Sequence, residues 1–185
     1  AAWVAGRVWR GRREGSKIAA GARRQDKGGE TIEGRKIGML GGDGVDEKQL
    51  TAVETALKAK GAIGELIAAH AGTITDSAGK PKKVCRAAPN APSVVYDAAI
   101  VLGGASAAEL AKSGLAIHFV NEAYRHGKPI AAIGNGELLL QACALPAAQT
   151  ADGVVVGDTE KVIDGLVAAL LHHRFPPRSI AALPA

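Results

Sequence analysis

The sequence predicts a doubly wound α/β domain: a mostly parallel sheet with helices on both faces and a β-hairpin insertion. Three observations lead there. From residue 35 onward, short apolar runs alternate with segments of helical period. The strand-like runs are apolar on consecutive rather than alternate residues, as strands covered on both faces require. Glycines close several of these runs just before a helix begins, where a parallel strand turns at its carboxyl end. An apolar fraction of 47% in 185 residues supplies the core, and aromatics at 3% suit close helix-on-sheet packing better than stacking on bases or sugars.

Lys36 to Gly42 (KIGMLGG) reads as a first buried strand, stopped by Gly41, Gly42 and Gly44. Asp46 is the N-cap of the next helix, with Gln49 three residues on and Leu50, Val53 and Leu57 along one face. Lys60 and Gly61 end that helix, and Ala62 to Ala68 gives a second strand. In GTITDSAGKPKKV, Thr73 to Thr75 face Val84 and Cys85 across a turn containing Ser77, Ala78 and Gly79, which is a hairpin pattern. Tyr96 to Leu102 is another buried strand, and Ser106 with Glu109 has the spacing of a capping box. A helix over 115–126 stops at Gly127, Lys128 and Pro129 lead into the strand Ile130 to Ile133, and Gly134-Asn135-Gly136 turns into a helix over 137–144 ended by Pro146. Val154 to Val156 is the last strand. Asp158 or Thr159 then caps a helix with Val162, Ile163, Leu166, Val167, Leu170 and Leu171 on one face.

The charge is unevenly placed. Of the formal +5, residues 1–36 carry +6, with ten Lys or Arg against four acids, and the remaining 149 residues carry −1. Residues 1–34, rich in Gly and without a sustained period, read as a basic tail or linker, and 35–185 as the folded domain. A nearly neutral body with few aromatics argues against nucleic acid as a partner. No run of 18 apolar residues and no secretory signal pattern is present, so neither a membrane nor an oxidising compartment is expected. Two cysteines, Cys85 and Cys143, read as reduced thiols of a cytoplasmic protein. Opening on Ala1 rather than Met, the sequence also reads as part of a longer chain.

Ligands of open parallel sheets bind beyond the carboxyl ends of the strands. Three turns meet there: Gly41-Gly42-Asp43-Gly44, Leu102-Gly103-Gly104-Ala105 and Ile133-Gly134-Asn135-Gly136. Their glycines permit close backbone approach, and the helices behind them offer amide donors. Asp43, Gly44, Gly103, Gly104, Gly134, Asn135 and Glu137 are the candidate cleft residues. The third turn has the form of a nucleophile elbow, which needs Ser or Cys at its bend. Gly134 stands there instead. Cys143 lies roughly 13 Å further along a helix at 1.5 Å per residue, and reads as a small buried apolar residue. His126, His172 and His173 sit at helix ends, where the dipole favours a cation. His70 and His118 read as ordinary packed or surface residues. No metal-ligand spacing, dinucleotide fingerprint or P-loop is present.

Four stretches, GRKIGMLGGDGVD (34–46), APSVVYDAAIVLGGASAAEL (91–110), AIHFVNEAYRHGKPIAAIGNGELLL (116–140) and DGLVAALLHHRFPPRSIAALPA (164–185), resemble the C-terminal domain of large-subunit haem catalases. That domain is flavodoxin-like and glutamine-amidotransferase-like, and the likeness covers residues 34–185. Its enzymatic cousins are the PfpI-type proteases and amidases, which use an elbow Cys assisted by an acid from the loop after the first strand. Here the elbow position is Gly134, and the acid's place falls at Asp46 to Gln49, most closely Gln49.

The resemblance implies an accessory domain without catalysis of its own, attached to a hydrogen-peroxide-decomposing enzyme and stabilising or chaperone-like in action. It implies no cofactor in this chain, with haem held by a preceding β-barrel body. Partners implied are that catalase body or other subunits, in a homo-oligomer. The alternative is a free-standing PfpI-type amidase, protease or α-oxoaldehyde-acting enzyme that uses Asp43, Asn135 and Glu137. Binding of a small ligand without turnover is a third reading.

Overall fold

A computed structural model describes residues 31–143, 145 and 152–176. The basic segment through residue 30, Pro146 as a helix stop and the closing residues from 177 onward lie outside the described residues. In chain order the elements are β1 (Lys36–Leu40), α1 (Glu47–Ala59), β2 (Ile63–Ala68), β3 (Gly72–Thr75), β4 (Pro81–Val84), β5 (Arg86–Ala87), β6 (Ala98–Val101), α2 (Ser106–Leu110), α3 (Gly114–Arg125), β7 (Ile130–Ile133), α4 (Glu137–Ala142), β8 (Val154–Gly157) and α5 (Thr159–His172). The main sheet runs β5-β2-β1-β6-β7-β8 with every neighbouring pair parallel. Setting β5 aside, the order is that of a flavodoxin-like sheet, which reverses direction between β1 and β6. The expected hairpin is β3–β4, antiparallel and apart from the main sheet, but in a different register: Gly72 is opposite Val84, and Thr73 to Thr75 face Lys83 to Pro81 rather than Val84 and Cys85.

Strand periodicity divides the apolar residues between two cores. Ile37, Met39, Ile100, Leu102, Ala131 and Ile133 point to one face, where Leu50, Val53 and Leu57 of α1 and Val162, Leu166 and Leu170 of α5 cover them. Leu40, Ala99, Val101, Ile130 and Ala132 point to the other, under Phe119, Val120 and Ala123 of α3 and Leu139 and Leu140 of α4. Side chains such as Leu50, Ile100 and Ile130 have no exposure at all, so truncating one of them removes both transfer energy and packing.

The helix starts follow local chemistry. Asp46 accepts from the Gln49 amide at 3.0 Å and Asp158 from the Lys161 amide at 2.9 Å, while α3 starts one residue earlier than expected, capped by Ser113. The capping box at Ser106 is not formed. Ala105 occupies the N-cap with helical dihedrals, and the Ala107 amide already bonds to the Gly104 carbonyl, so Ser106 lies inside the first turn. Its Oγ is buried without a partner among the described residues, and Glu109 pairs with Lys112 instead. The strand expected from Tyr96 begins only at Ala98, because the Tyr96 carbonyl is taken by the buried ammonium of Lys128 at 2.7 Å.

Candidate functional site

The three glycine turns converge at the carboxyl end of the sheet, and each is fastened to the next. The first turn is pinned to the hairpin: Gly44 donates to the Thr75 carbonyl at 2.7 Å, and Asp43 Oδ1 accepts from the Thr75 amide at 2.8 Å. It is joined to the second turn by Asp46 N–H to the Gly103 carbonyl (3.0 Å) and Ala105 N–H to the Gly44 carbonyl (2.9 Å). Gly104 has φ +113, and a Cβ there would collide with the Gly44 carbonyl oxygen and approach the Asp46 nitrogen to 2.6 Å. Only glycine permits this approach.

Two side-chain amides complete the fastening. Gln49 does not reach back to its own helix start. Its Oε1 accepts from the Gly103 amide at 2.8 Å. Asn135 takes Gly104 at both backbone groups, accepting from its N–H at 2.8 Å and donating to its carbonyl at 2.9 Å. Neither partnership has a sequence signature, since the pairs are 54 and 31 residues apart.

The bend at Gly134 has elbow geometry. It follows β7, has φ +53, and leads through a 3-10 turn over Gly134–Gly136 into α4. A Cβ placed there would meet, among the described residues other than its chain neighbours, one atom within 4 Å, Gln49 Nε2 at 3.6 Å. The space that a nucleophile's first carbon would fill is therefore open, and it faces a carboxamide rather than an acid. Of the remaining candidates, Glu137 accepts from Gln141 at 3.2 Å on the exposed side of α4. Cys143 is 1% exposed, and burial pushes its thiol up to about 12, so it holds its proton at neutral pH.

Two hollows lie to the side of the bend. One cavity of about 300 Å³ is bounded by Gly42, Asp43, His70, Thr73, Ser106 and Glu109, so Asp43 alone of the candidate residues reaches it. A second, of about 320 Å³, lies on the outside of α3 between Pro92, Val94, Leu115, His118 and Glu122.

The histidines divide. His126 is the C-cap of α3 with Glu122 at 3.4 Å, and His172 closes α5 with its ring 4.6 Å from that of Phe175. His173 departs from expectation: it is not a cation on the helix dipole. Its Nδ1 lies 2.6 Å from Arg35 Nη1, and a guanidinium only donates, so this nitrogen carries no proton. Burial, then the neighbouring Arg35 and Arg174, depress its pKa.

Haem in catalases is held by a tyrosinate. Tyr96 is 2% exposed with its hydroxyl on Glu65 Oε2 at 2.9 Å, and Tyr124 is 1% exposed inside the α3 core. Both tyrosines of the chain are thus committed to packing, and neither fits an iron ligand. Among the described residues no group of three or more His, Cys, Asp or Glu is placed to hold a metal, and no helix is long and apolar enough to cross a membrane.

Comparison with known proteins adds the family. The model of the C-terminal domain found in long catalases matches residues 33–180. Catalase HPII of Mycobacterium avium is 37% identical over 158 residues, covering 84% of this chain and 22% of that protein. Catalase HPII of Pseudomonas aeruginosa is 35% identical over 158 residues, covering 83% of this chain and again 22% of the relative. The chain therefore spans about a fifth of the length of these curated relatives. Among solved structures it resembles a ThiJ/PfpI domain protein from Brachyspira murdochii, with a TM-score of 0.65 at 13% identity over 77% of this chain and 98% of that one. It also resembles a two-domain protein from Anabaena variabilis with DJ-1/ThiJ/PfpI-like and ferritin-like domains, with a TM-score of 0.59 at 20% identity over 62% of this chain and 35% of that one. At these identities the likeness concerns the fold.

Proposed function

The chain belongs to the family of C-terminal domains found in long catalases, and from that membership we propose that it acts as an accessory domain of a peroxide-decomposing haem enzyme, without chemistry of its own. The observation that carries this reading is the bend at Gly134, which has the backbone of a catalytic elbow and no reactive atom. Acyl transfer needs a nucleophile and a base or acid to manage its proton. Here a hydrogen stands in place of the first and the Gln49 amide in place of the second. The domain's contribution is structural: its folded body, residues 35–185 on this reading, shields or braces a preceding catalase body in a homo-oligomer. The segment 1–34 connects the two, and the cleft of Asp43, Gly44, Gly103, Gly104, Gly134, Asn135 and Glu137 is vestigial. Haem, in this view, is held by that preceding body, in the cytoplasm.

Deletion of residues 35–185 from the complete protein tests the proposal. Peroxide turnover per haem is expected to persist while thermal inactivation accelerates. The isolated chain is expected to leave amide, ester and α-oxoaldehyde substrates unconverted. Turnover of any of these that a cleft substitution abolishes would overturn the proposal. The enzymatic alternative needs Asp43, Asn135 and Glu137 available for substrate, and the bonds of Asp43 to Thr75 and of Asn135 to Gly104 count against it.

A further inference from the structure

At the amino end of the sheet, the residue before β1 and the residues after α5 lie side by side. Arg35 Nη1 donates to Asp97 Oδ1 at 3.1 Å and to His173 Nδ1 at 2.6 Å, and Asp97 Oδ2 accepts from the Lys36 amide at 3.0 Å. Arg35 and Asp97 are part-buried, with side-chain exposures of 23% and 28%, so this is not a fully solvated surface pair. His173 itself has φ +77. It is the single non-glycine residue at positive φ among those described, a costly conformation over which the Arg174 amide closes a turn onto the His172 carbonyl at 3.1 Å.

The residues that follow are seated by what His173 starts. Phe175 N–H donates to the Gly127 carbonyl at 2.8 Å, and its ring rests against that of His172 at 4.6 Å between centroids. Gly127 leaves room for this, since a Cβ there would stand 3.1 Å from the Phe175 carbonyl oxygen. The exit of the chain is thereby laid across the ends of α3 and β7.

The charges around His173 are mostly of one sign. Arg35 faces it from the start of β1, Arg174 from the next position, and Asp97 from the start of β6. Lys128, at the start of β7, faces Arg174 and Asp97 in turn. Of the groups that act on His173, two are guanidiniums and one is a carboxylate, so a charged imidazole would add to an excess of positive charge.

We propose that His173 is an acid-operated latch: neutral, it accepts the Arg35 hydrogen bond and holds residues 173–176 against the amino end of the sheet, and protonated, it loses that bond and lets the segment go. No covalent step is involved. The proton comes from solvent and enters at Nδ1, the nitrogen that the Arg35 bond occupies. The sign follows from linkage: the closed latch resists protonation relative to a free imidazole, so acid favours the open form.

Hydrogen exchange on the full chain tests this, at pH values of about 7.5 and about 5.5, either side of an unperturbed imidazole. After correction for intrinsic rates, Phe175 amide protection is expected to fall severalfold in acid while that of Leu50 stays unchanged. The variant His173→Asn keeps an acceptor and tolerates positive φ. It is expected to hold Phe175 equally at both pH values. Imidazole nitrogen shifts at the higher pH should report a neutral ring with its proton on Nε2. Unchanged Phe175 protection in acid, an acid step that survives in the Asn variant, or a proton on Nδ1 at the higher pH would each overturn the latch.

Discussion

At the carboxyl end of the sheet, Gln49 and Asn135 tie the glycine turns together through side-chain amides and backbone groups, whereas at the amino end the charged Arg35, Asp97 and Lys128 and the neutral but titratable His173 hold the chain. One sheet is thus fastened at its two ends by different means. At the end where ligands of such sheets usually bind, the second and third turns are joined by a carboxamide. The opposite end is held in part by two side chains with shifted titration, Lys128 and His173.

The difference can be broken most severely at Gly104. Gly104→Ala drives a methyl into the Gly44 carbonyl at a positive φ, and is expected to cost about 3 kcal/mol or more in urea unfolding, by the same amount from acid to neutral pH. Next is Lys128→Met at the other end. Lys128 is 2% exposed and donates to the Ser93 and Tyr96 carbonyls, so the loss is expected to be about 2–3 kcal/mol at pH 7. Burial holds the folded Lys128 down to about 8, against 10.5 when free. The unfolded chain therefore binds more protons between those values, and wild-type stability should rise with pH across that window, a rise that the Met variant lacks.

Asn135→Ala is a smaller change. It strips a partner from both the N–H and the carbonyl of Gly104, for an expected loss of about 1–2 kcal/mol, flat with pH. The smallest effect sharpens the contrast at His173. With its folded pKa depressed below the free value of 6.5, its contribution is complete above that pH and declines as the solution is acidified. Thermal unfolding of the wild type should show that decline, and of His173→Asn a flatter profile.

What the sequence made legible follows the range of each interaction. The strand–helix alternation, the hairpin and the caps at Asp46 and Asp158 rest on contacts within a few residues or on periodicity, and they are found where expected. The glycine turns were legible too, because few other residues serve at such bends. Ser106 misled, since capping spacing is also met by a residue already inside a helix whose first amide is satisfied elsewhere. The neutral state of His173 was illegible: Arg35 lies 138 positions away, and a histidine at a helix end ordinarily signals a cation. Lys128 looked like a strand boundary because nothing local records that the carbonyls of Ser93 and Tyr96 come to meet it.

The clearance in front of Gly134 has a practical meaning. A thiol introduced there would stand at the mouth of a stiff, well-braced bend, while the native Cys143 is sealed away inside the helix layer. The domain thus offers an address for a spectroscopic label or a crosslinker, with the exposed Cys85 the one competing sulfur to remove beforehand.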